Sequence, residues 1–309
     1  MIVMKFGGTS VQDARAMKNV GEIISQRSHQ PLVVVSSACA GVTNALLNLA
    51  AGVRDGHTTQ SLEAVELLRQ RHRKIAHELL TGEILLTVQS QVDAMMDELG
   101  DIVRSIAILG ELTNRSLDTF ASFGEKLSTL LLSHHLHQIG VNAVLLNAQE
   151  FIITNNDFTQ AIPLFDEIDK KVNDIVVPKL TSGHVVVTQG FLGATASGIP
   201  TTIGRGGSDY SAAIIGAALN ADEIQIWTDV DGVMTCDPSV IPEAKLVDEM
   251  TFREAAELAY FGAKVLHPST ILPAIKKNIP VRVLNSGKPA GMGTVVLRQP
   301  SHLRGASLW

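Results

Sequence analysis

The chain is short of several things, and each shortage removes a class of function. Its 309 residues include two cysteines, Cys39 and Cys236, far apart in sequence. That is neither a disulfide framework nor a zinc pattern, and it fits a reducing compartment. No Lys- or Arg-rich block occurs, and 25 basic against 31 acidic residues leave a net charge of −6. A nucleic-acid or anionic-membrane surface is therefore not expected. No uncharged apolar run approaches the ~18 residues that span a bilayer. The longest candidate, Ser211–Leu219 (SAAIIGAAL), has the length of a buried helix. Lys5, Gly7 and Gly8 break up the N-terminus, so no signal peptide is read there. HExxH is missing, as are internal repeats and low-complexity segments. His134, His135 and His137 share a helical stretch without an i, i+4 pair and read as a solvated face. What remains is a soluble, cytoplasmic protein with no assigned metal ligands.

What is present is 45% hydrophobic residues, with 25 glycines and 11 prolines. That supplies one large or two modest domains with ample core. Short β-like runs alternate with helical patterns: Ile2–Phe6, Pro31–Ser36 (PLVVVS), Ala143–Leu146, His184–Thr188, Glu223–Thr228 and Val281–Leu284 against Asp13–Arg27, Glu125–His137, Ser208–Leu219, Phe252–Tyr260 and Ser269–Lys277. The alternation predicts an α/β fold with a mainly parallel sheet covered on both faces. Residues 60–120 differ, reading as long amphipathic helix inserted in that pattern. Asp166–Lys171 reads as an exposed helix face.

In such sheets, ligands gather where strands end and helices begin. VMKFGGTSV, residues 3–11, places Lys5 in an apolar strand ahead of two glycines, where a P-loop (G-x4-G-K-S/T) would place it after them. Its ammonium must reach an anion or solvent. Gly7 and Gly8 let N–H groups approach an anion, with Thr9 and Ser10 adding hydroxyls; a plain glycine turn is the alternative. SSACAGVTN (Ser36–Asn44) offers Ser37 and Thr43, or merely a helix cap at Thr43 or Asn44. IGRGGSDY (Ile203–Tyr210) opens an apolar helix, with Ser208 or Asp209 as cap and Arg205 as a fork for a carboxylate. WTDVDGVMTCD brings Thr228 and Asp229 to the rim, and FGAKVLHP carries Lys264. Glu125, in SFGEKLS, reads as a first-turn glutamate, suited either to the helix dipole or to a substrate ammonium.

Taken together, KFGGTSV, SSACAGVTN, SFGEKLSTLL, GFLGA, GRGGSDYSAA, WTDVDGVMTCDP and FGAKVLHP stand in the order and spacing of the aspartate kinases, within the amino acid kinase superfamily. The resemblance runs from residue 1 to about Val296. It implies ATP-dependent phosphorylation of the L-aspartate β-carboxylate to 4-phospho-L-aspartate, the entry to lysine, threonine and methionine biosynthesis. It implies a three-layer αβα sandwich over 1–298, with an aspartate-binding lobe over about 1–200, an ATP-binding lobe over about 201–298, and a tail at 299–309. Ser37, Thr43, Glu125, Phe191, Arg205, Gly206, Gly207, Ser208 and Asp209 match aspartate-binding positions. Arg205 would grip the α-carboxylate, and Glu125 with Asp209 would face the α-ammonium. Lys5, Gly7, Gly8, Thr9, Thr228, Asp229, Met234, Lys264 and Val265 match nucleotide positions, with Lys5, Asp209 and Lys264 catalytic. Mg²⁺ would be held mainly through the ATP phosphates, and a homodimer is compatible with the pattern.

Two departures carry expectations. Where many relatives read DGxYTxDPR, this chain reads DGVMTCDPS: Met234 replaces a tyrosine and Ser239 an arginine. Losing an arginine–phosphate hydrogen bond removes roughly 1.5–3 kcal/mol, so a weak ATP KM or altered nucleotide preference is expected. Relatives also continue into a pair of ACT domains, whereas this sequence stops at SHLRGASLW, in a truncated or naturally short form. The chain as it stands is expected to show no feedback inhibition by lysine or threonine. Two rivals stay open: a superfamily sibling acting on another acceptor, and a catalytically weak amino-acid-binding or regulatory relative.

Overall fold

The computed structural model describes residues 1–204, 206–236, 241, 243–260 and 268–298. Arg205, Ser239, Lys264, Val265 and the tail 299–309 lie outside the described residues.

The elements run β1 (Ile2–Phe6), α1 (Ala14–Ser25), β2 (Leu32–Ser36), α2 (Val42–Arg54), α3 (Thr58–Leu79), α4 (Gly82–Leu109), α5 (Asn114–Gln138), β3 (Ala143–Leu146), β4 (Ile153–Thr154), α6 (Phe165–Lys171) and α7 (Val177–Thr181). They continue through β5 (Val185–Gln189), β6 (Leu192–Thr195), β7 (Pro200–Thr202), α8 (Gly207–Ala218), β8 (Glu223–Thr228), β9 (Glu249–Thr251), α9 (Phe252–Tyr260), α10 (Leu272–Lys277), β10 (Val281–Asn285) and β11 (Thr294–Leu297). Eight strands form one sheet in the order β3-β5-β2-β1-β8-β10-β11-β9. Every pairing in it is parallel except β10 with β11. The alternation of runs in the sequence is thus realised as an α/β sheet.

The sheet divides the apolar interior in two. Along β1, Met4 and Phe6 join one cluster while Val3 joins the other; along β2, Val34 faces opposite to Val33 and Val35. This is the period-two pleat at work, and it favours near-continuous apolar runs such as the valines of the fully buried LVVVS and VVVTQ, with polar residues at their carboxyl ends. Helices α1–α5 contribute to the first cluster and α6–α10 to the second, giving helix, sheet and helix layers. The insertion folds as the antiparallel hairpin α3–α4, whose main contacts are with other helices. Arg69 ties it together through Glu66, Asp93 and Asp97. A second sheet, β4-β6-β7, escaped the sequence patterning because its strands are only two to four residues long.

Several local readings are corrected. Glu125 is not in a first turn but mid-way along α5, which starts at Asn114 behind a Thr113 cap. Gly124 does not break that helix; it is the point where the loop after β2 presses in, and an added Cβ would sit 2.7 Å from Ala38 Cβ. The histidine stretch is not a solvated face. His135 is buried against Gly21 of α1, His134 bonds the Leu130 carbonyl, and only His137 is exposed. The cause is that this part of α5 is enclosed on nearly all sides. Neither Thr43 nor Asn44 caps α2, and neither Ser208 nor Asp209 caps α8. Left-handed glycines, Gly41 and Gly206, take the N-cap positions with no side-chain cap bond. The charged residues of DEIDKK are exposed as expected, around a buried Ile168.

Candidate active site

The loops leaving β1, β2 and β5, the middle of α5 and the first turn of α8 enclose a cavity of about 790 Å³. Of the residues singled out in the sequence, Lys5, Gly8, Ser37, Thr43 and Glu125 line it, as do Phe191, Gly206, Gly207, Ser208 and Asp209. These come from separate stretches of chain, so only the fold brings them together.

Lys5, next to last in β1, is a mostly buried side chain, and its ammonium lies 2.7 Å from Asp209 Oδ1 in the first turn of α8. The pair answers the cost of placing a lysine in an apolar strand. The loops after β1 and β2 are clasped by backbone bonds, Ala40 N–H to Gly8 O at 3.0 Å and Ser37 N–H to Phe6 O at 3.1 Å. Gly8 permits this: a Cβ there would lie 2.9 Å from Ala38 O. With the helix caps supplied by backbone, Thr43, Asn44 and Ser208 keep their side chains for the cavity.

Glu125 is 3% exposed. One carboxylate oxygen accepts the Ala38 N–H at 3.2 Å, and Oε2 is buried without a hydrogen-bond partner. Burial pushes its pKa up to about 8, only partly offset by the Ala38 and Glu125 backbone N–H groups. A buried carboxylate with a free oxygen facing a cavity is suited to receive a cation.

Phe191 closes one wall in the left-handed region, at φ 66, a conformation that costs a non-glycine residue roughly 1–2 kcal/mol. Its N–H is held by Ser211 Oγ at 2.9 Å, and its ring occupies the space a Cβ on Gly207 would need. Strain of this sort is retained where surrounding structure over-determines it.

The sequence reading missed Asp118, one of the cavity's lining residues. It is 1% exposed, accepts the Thr159 N–H at 2.9 Å and receives Thr202 Oγ1–H at 2.6 Å. Burial raises its pKa, opposed by the bonds from Thr202 and Thr159. The signal was available: Asp118 lies seven residues, two helical turns, before Glu125, which places both on one face of α5.

Among the described residues of the nucleotide set, Gly7, Thr9, Thr228, Asp229 and Met234 do not line this cavity. Gly7 gives its N–H to the Trp227 carbonyl at 3.0 Å, so that group does not face an anion as expected. Ser10 Oγ is likewise engaged, 2.8 Å from Ser286 Oγ, while Thr9 is exposed. Thr228 and Asp229 stand beside this loop at the end of β8, and Ser286 N–H holds the Thr228 carbonyl at 2.8 Å. Met234 forms an isolated antiparallel bridge with Leu246. Among the described residues no group of three or more His, Cys, Asp or Glu side chains converges as a metal site. No described helix is long and apolar enough to cross a membrane.

The fold is an α/β sandwich with its cavity at the strand ends, and the chain belongs to the amino acid kinase family, whose model matches residues 1–285. It is similar to aspartokinase 2, chloroplastic, of Arabidopsis thaliana, with 42% identity over 300 residues, covering 96% of this chain and 54% of the relative. It is 39% identical over 297 residues to lysine-sensitive aspartokinase 3 of Escherichia coli (strain K12), covering 96% of this chain and 64% of the relative. The chain therefore spans about half to two thirds of the length of these curated relatives. The crystal structure of E. coli aspartokinase III in complex with aspartate and ADP superposes with a TM-score of 0.88 at 37% identity, over 97% of this chain and 65% of that one. UMP kinase from Ureaplasma parvum, with a TM-score of 0.53 at 17% identity over 96% of this chain and 97% of that one, shares the fold alone.

Proposed function

We propose that the chain is an aspartate kinase, transferring the γ-phosphoryl group of ATP to the β-carboxylate of L-aspartate. A β-carboxylate oxygen bonds to the γ-phosphorus, the bond to the β,γ-bridging oxygen breaks, and ADP leaves together with 4-phospho-L-aspartate. The observation that carries the reading is Glu125, whose buried Oε2 has no hydrogen-bond partner and lines the cavity. An amino-acid ammonium placed there satisfies both the charge and the missing bond. Ser37, Thr43, Ser208 and the turn Gly206–Gly207 surround the acceptor, with Phe191 as one wall and Arg205 assigned to the α-carboxylate.

A carboxylate nucleophile needs no general base, so the protein's task is alignment and neutralisation of charge. Lys5, held by Asp209, stands where two anions must meet, and Lys264 is its assigned counterpart on the nucleotide side. Gly8, Thr228, Asp229, Met234 and Val265 complete the nucleotide set, with Gly7 and Thr9 shaping the loop rather than facing the cavity. Mg²⁺ enters as MgATP, held mainly through phosphates and water. The reading includes an acceptor lobe over about 1–200, a nucleotide lobe over about 201–298, a cytoplasmic setting, homodimerisation, and a place at the start of lysine, threonine and methionine synthesis.

The test is ADP release with MgATP and a panel of acceptors, with hydroxylamine trapping of the acyl phosphate. L-Aspartate is expected to turn over, while N-acetyl-L-aspartate, which lacks the ammonium, is not. Turnover of N-acetyl-L-aspartate in preference to L-aspartate would remove Glu125 from this role. Aspartate binding without ADP release would favour the regulatory relative.

A further inference from the structure

We propose that Asp118 is a positioning residue for the acceptor site, acting through Thr159 and Thr202 rather than on the acceptor itself; this rests on the aspartate kinase reading. Three segments distant in sequence meet at its carboxylate. Asp118 belongs to α5, the helix that carries Glu125. Thr202 ends β7, from which the chain runs through Ile203 and Gly204 into the first turn of α8. Thr159 belongs to the loop between β4 and α6 and is held at φ 73, a left-handed geometry unusual for a β-branched residue.

Asp118 is the group that fixes this arrangement. Both of its oxygens lie within hydrogen-bond distance of the Thr159 N–H, at 3.1 and 2.9 Å, and Oδ1 also takes the Thr202 hydroxyl at 2.6 Å. The loop and the strand are themselves joined, Ala161 N–H to Thr202 O at 2.9 Å. Gly204, at φ 78, packs on the Thr159 carbonyl. All three residues also line the cavity. One buried carboxylate therefore locks the turn leading to Gly206–Asp209 onto the helix that presents Glu125. It sets the distance between the ammonium socket and the opposite wall. A nucleotide bound beyond Lys5 does not depend on that distance.

The decisive experiment measures acceptor and ATP kinetics for Asp118→Ala, Asp118→Asn and Thr202→Val, with thermal melts to confirm folding. Asp118→Ala is expected to raise the aspartate KM at least tenfold, with the ATP KM within twofold. Asn retains an oxygen for the Thr159 N–H and an amide for Thr202 Oγ1, so it should bring the aspartate KM back to within about threefold of wild type. Thr202→Val should raise the aspartate KM, and its effect should not add to that of Asp118→Ala. Equal rises in both KM values, or an Asn variant as impaired as Ala, overturn the proposal. If Asp118→Ala does not fold, the split in Thr202→Val decides. Hydrogen exchange in the peptide spanning residues 155–163 is measured alongside and does not depend on the substrate. Protection is expected to fall in Asp118→Ala or, if that variant does not fold, in Thr202→Val. Unchanged protection overturns the positioning role even if the wild-type protein proves not to turn over aspartate, a result that would sink only the kinase reading.

Discussion

The ammonium of Lys5 and the carboxylate of Asp209 lie 2.7 Å apart across the mouth of the cavity, joining the end of the central strand to the first turn of α8. The pair aims a cation at the cavity while keeping it compensated when nothing is bound. On the proposed function, Lys5→Ala lowers kcat by ~10²–10³-fold, the usual cost of one charge-stabilising group. The ATP KM should move only a few-fold. Asp209→Ala should cost less alone and add little to Lys5→Ala, because both remove one unit. Steady-state kinetics of the three variants check this, and near-wild-type kcat in Lys5→Ala would refute the role.

Glu125 links substrate affinity to pH. Its folded pKa of about 8 lies above the ordinary 4.5, so its stabilising contribution is complete below about 4.5 and is lost as pH rises through 8. Glu125→Gln removes the dependence, and its melting temperature should gain on wild type between pH 5 and 9, by on the order of a few kcal/mol in stability. An ammonium ligand needs the ionised form, so aspartate binding should release a proton near pH 7. Calorimetry in buffers of different ionisation enthalpy measures that proton, and its absence counts against the ammonium socket.

His72 works with the opposite sign. Its Nδ1 is 2.7 Å from the Leu68 carbonyl, Nε2 has no partner, and burial lowers its pKa from 6.5 to about 4. The native state resists protonation, so stability is lost as pH falls from 6.5 toward 4. The full loss is about 3–4 kcal/mol at about 1.4 kcal/mol per unit. His72→Gln should flatten the melting-temperature curve over that window, whatever its effect at pH 8.

Gly124→Ala sets two effects against each other. Alanine in a helix interior gains roughly 0.5–1 kcal/mol over glycine. Here the new methyl would stand 2.7 Å from Ala38 Cβ and 3.5 Å from Leu46 and Val42, and overpacking of that kind costs about 1–3 kcal/mol. Packing should win. Urea denaturation is expected to show net destabilisation, and the displaced Ala38 loop should raise the aspartate KM.

How far the sequence could be read follows from what each signal depends on. The apolar runs of β1, β2, β5 and β8 were legible because a strand covered on both faces reads as a near-continuous apolar stretch. Most of the cavity-lining residues were legible as glycine- and hydroxyl-rich loops between such strands and helices. Glu125 was misplaced in its helix because a glycine reads locally as a break, while its reason, the Ala38 loop, comes from elsewhere in the chain. Asp118 and His135 were overlooked or misjudged for the same cause: a polar residue on a helix reads as solvated until its neighbours are known. Gly7 and Ser10 were given to a ligand, whereas Trp227 and Ser286 already hold them.

The position of β1 also bears on how the protein is made. Its partners are β2 on one side and β8 on the other, with Ile2 opposite Leu32 and also opposite Glu223. During synthesis β1 can find β2 early, but its other edge stays open until β8 has left the ribosome. That edge is apolar and hydrogen-bond hungry, the kind of surface that recruits stray strands. Closure demands contacts of long sequence separation, which slow folding. The strand that carries Lys5 therefore precedes both of its partners in the chain and is among the last to be completed.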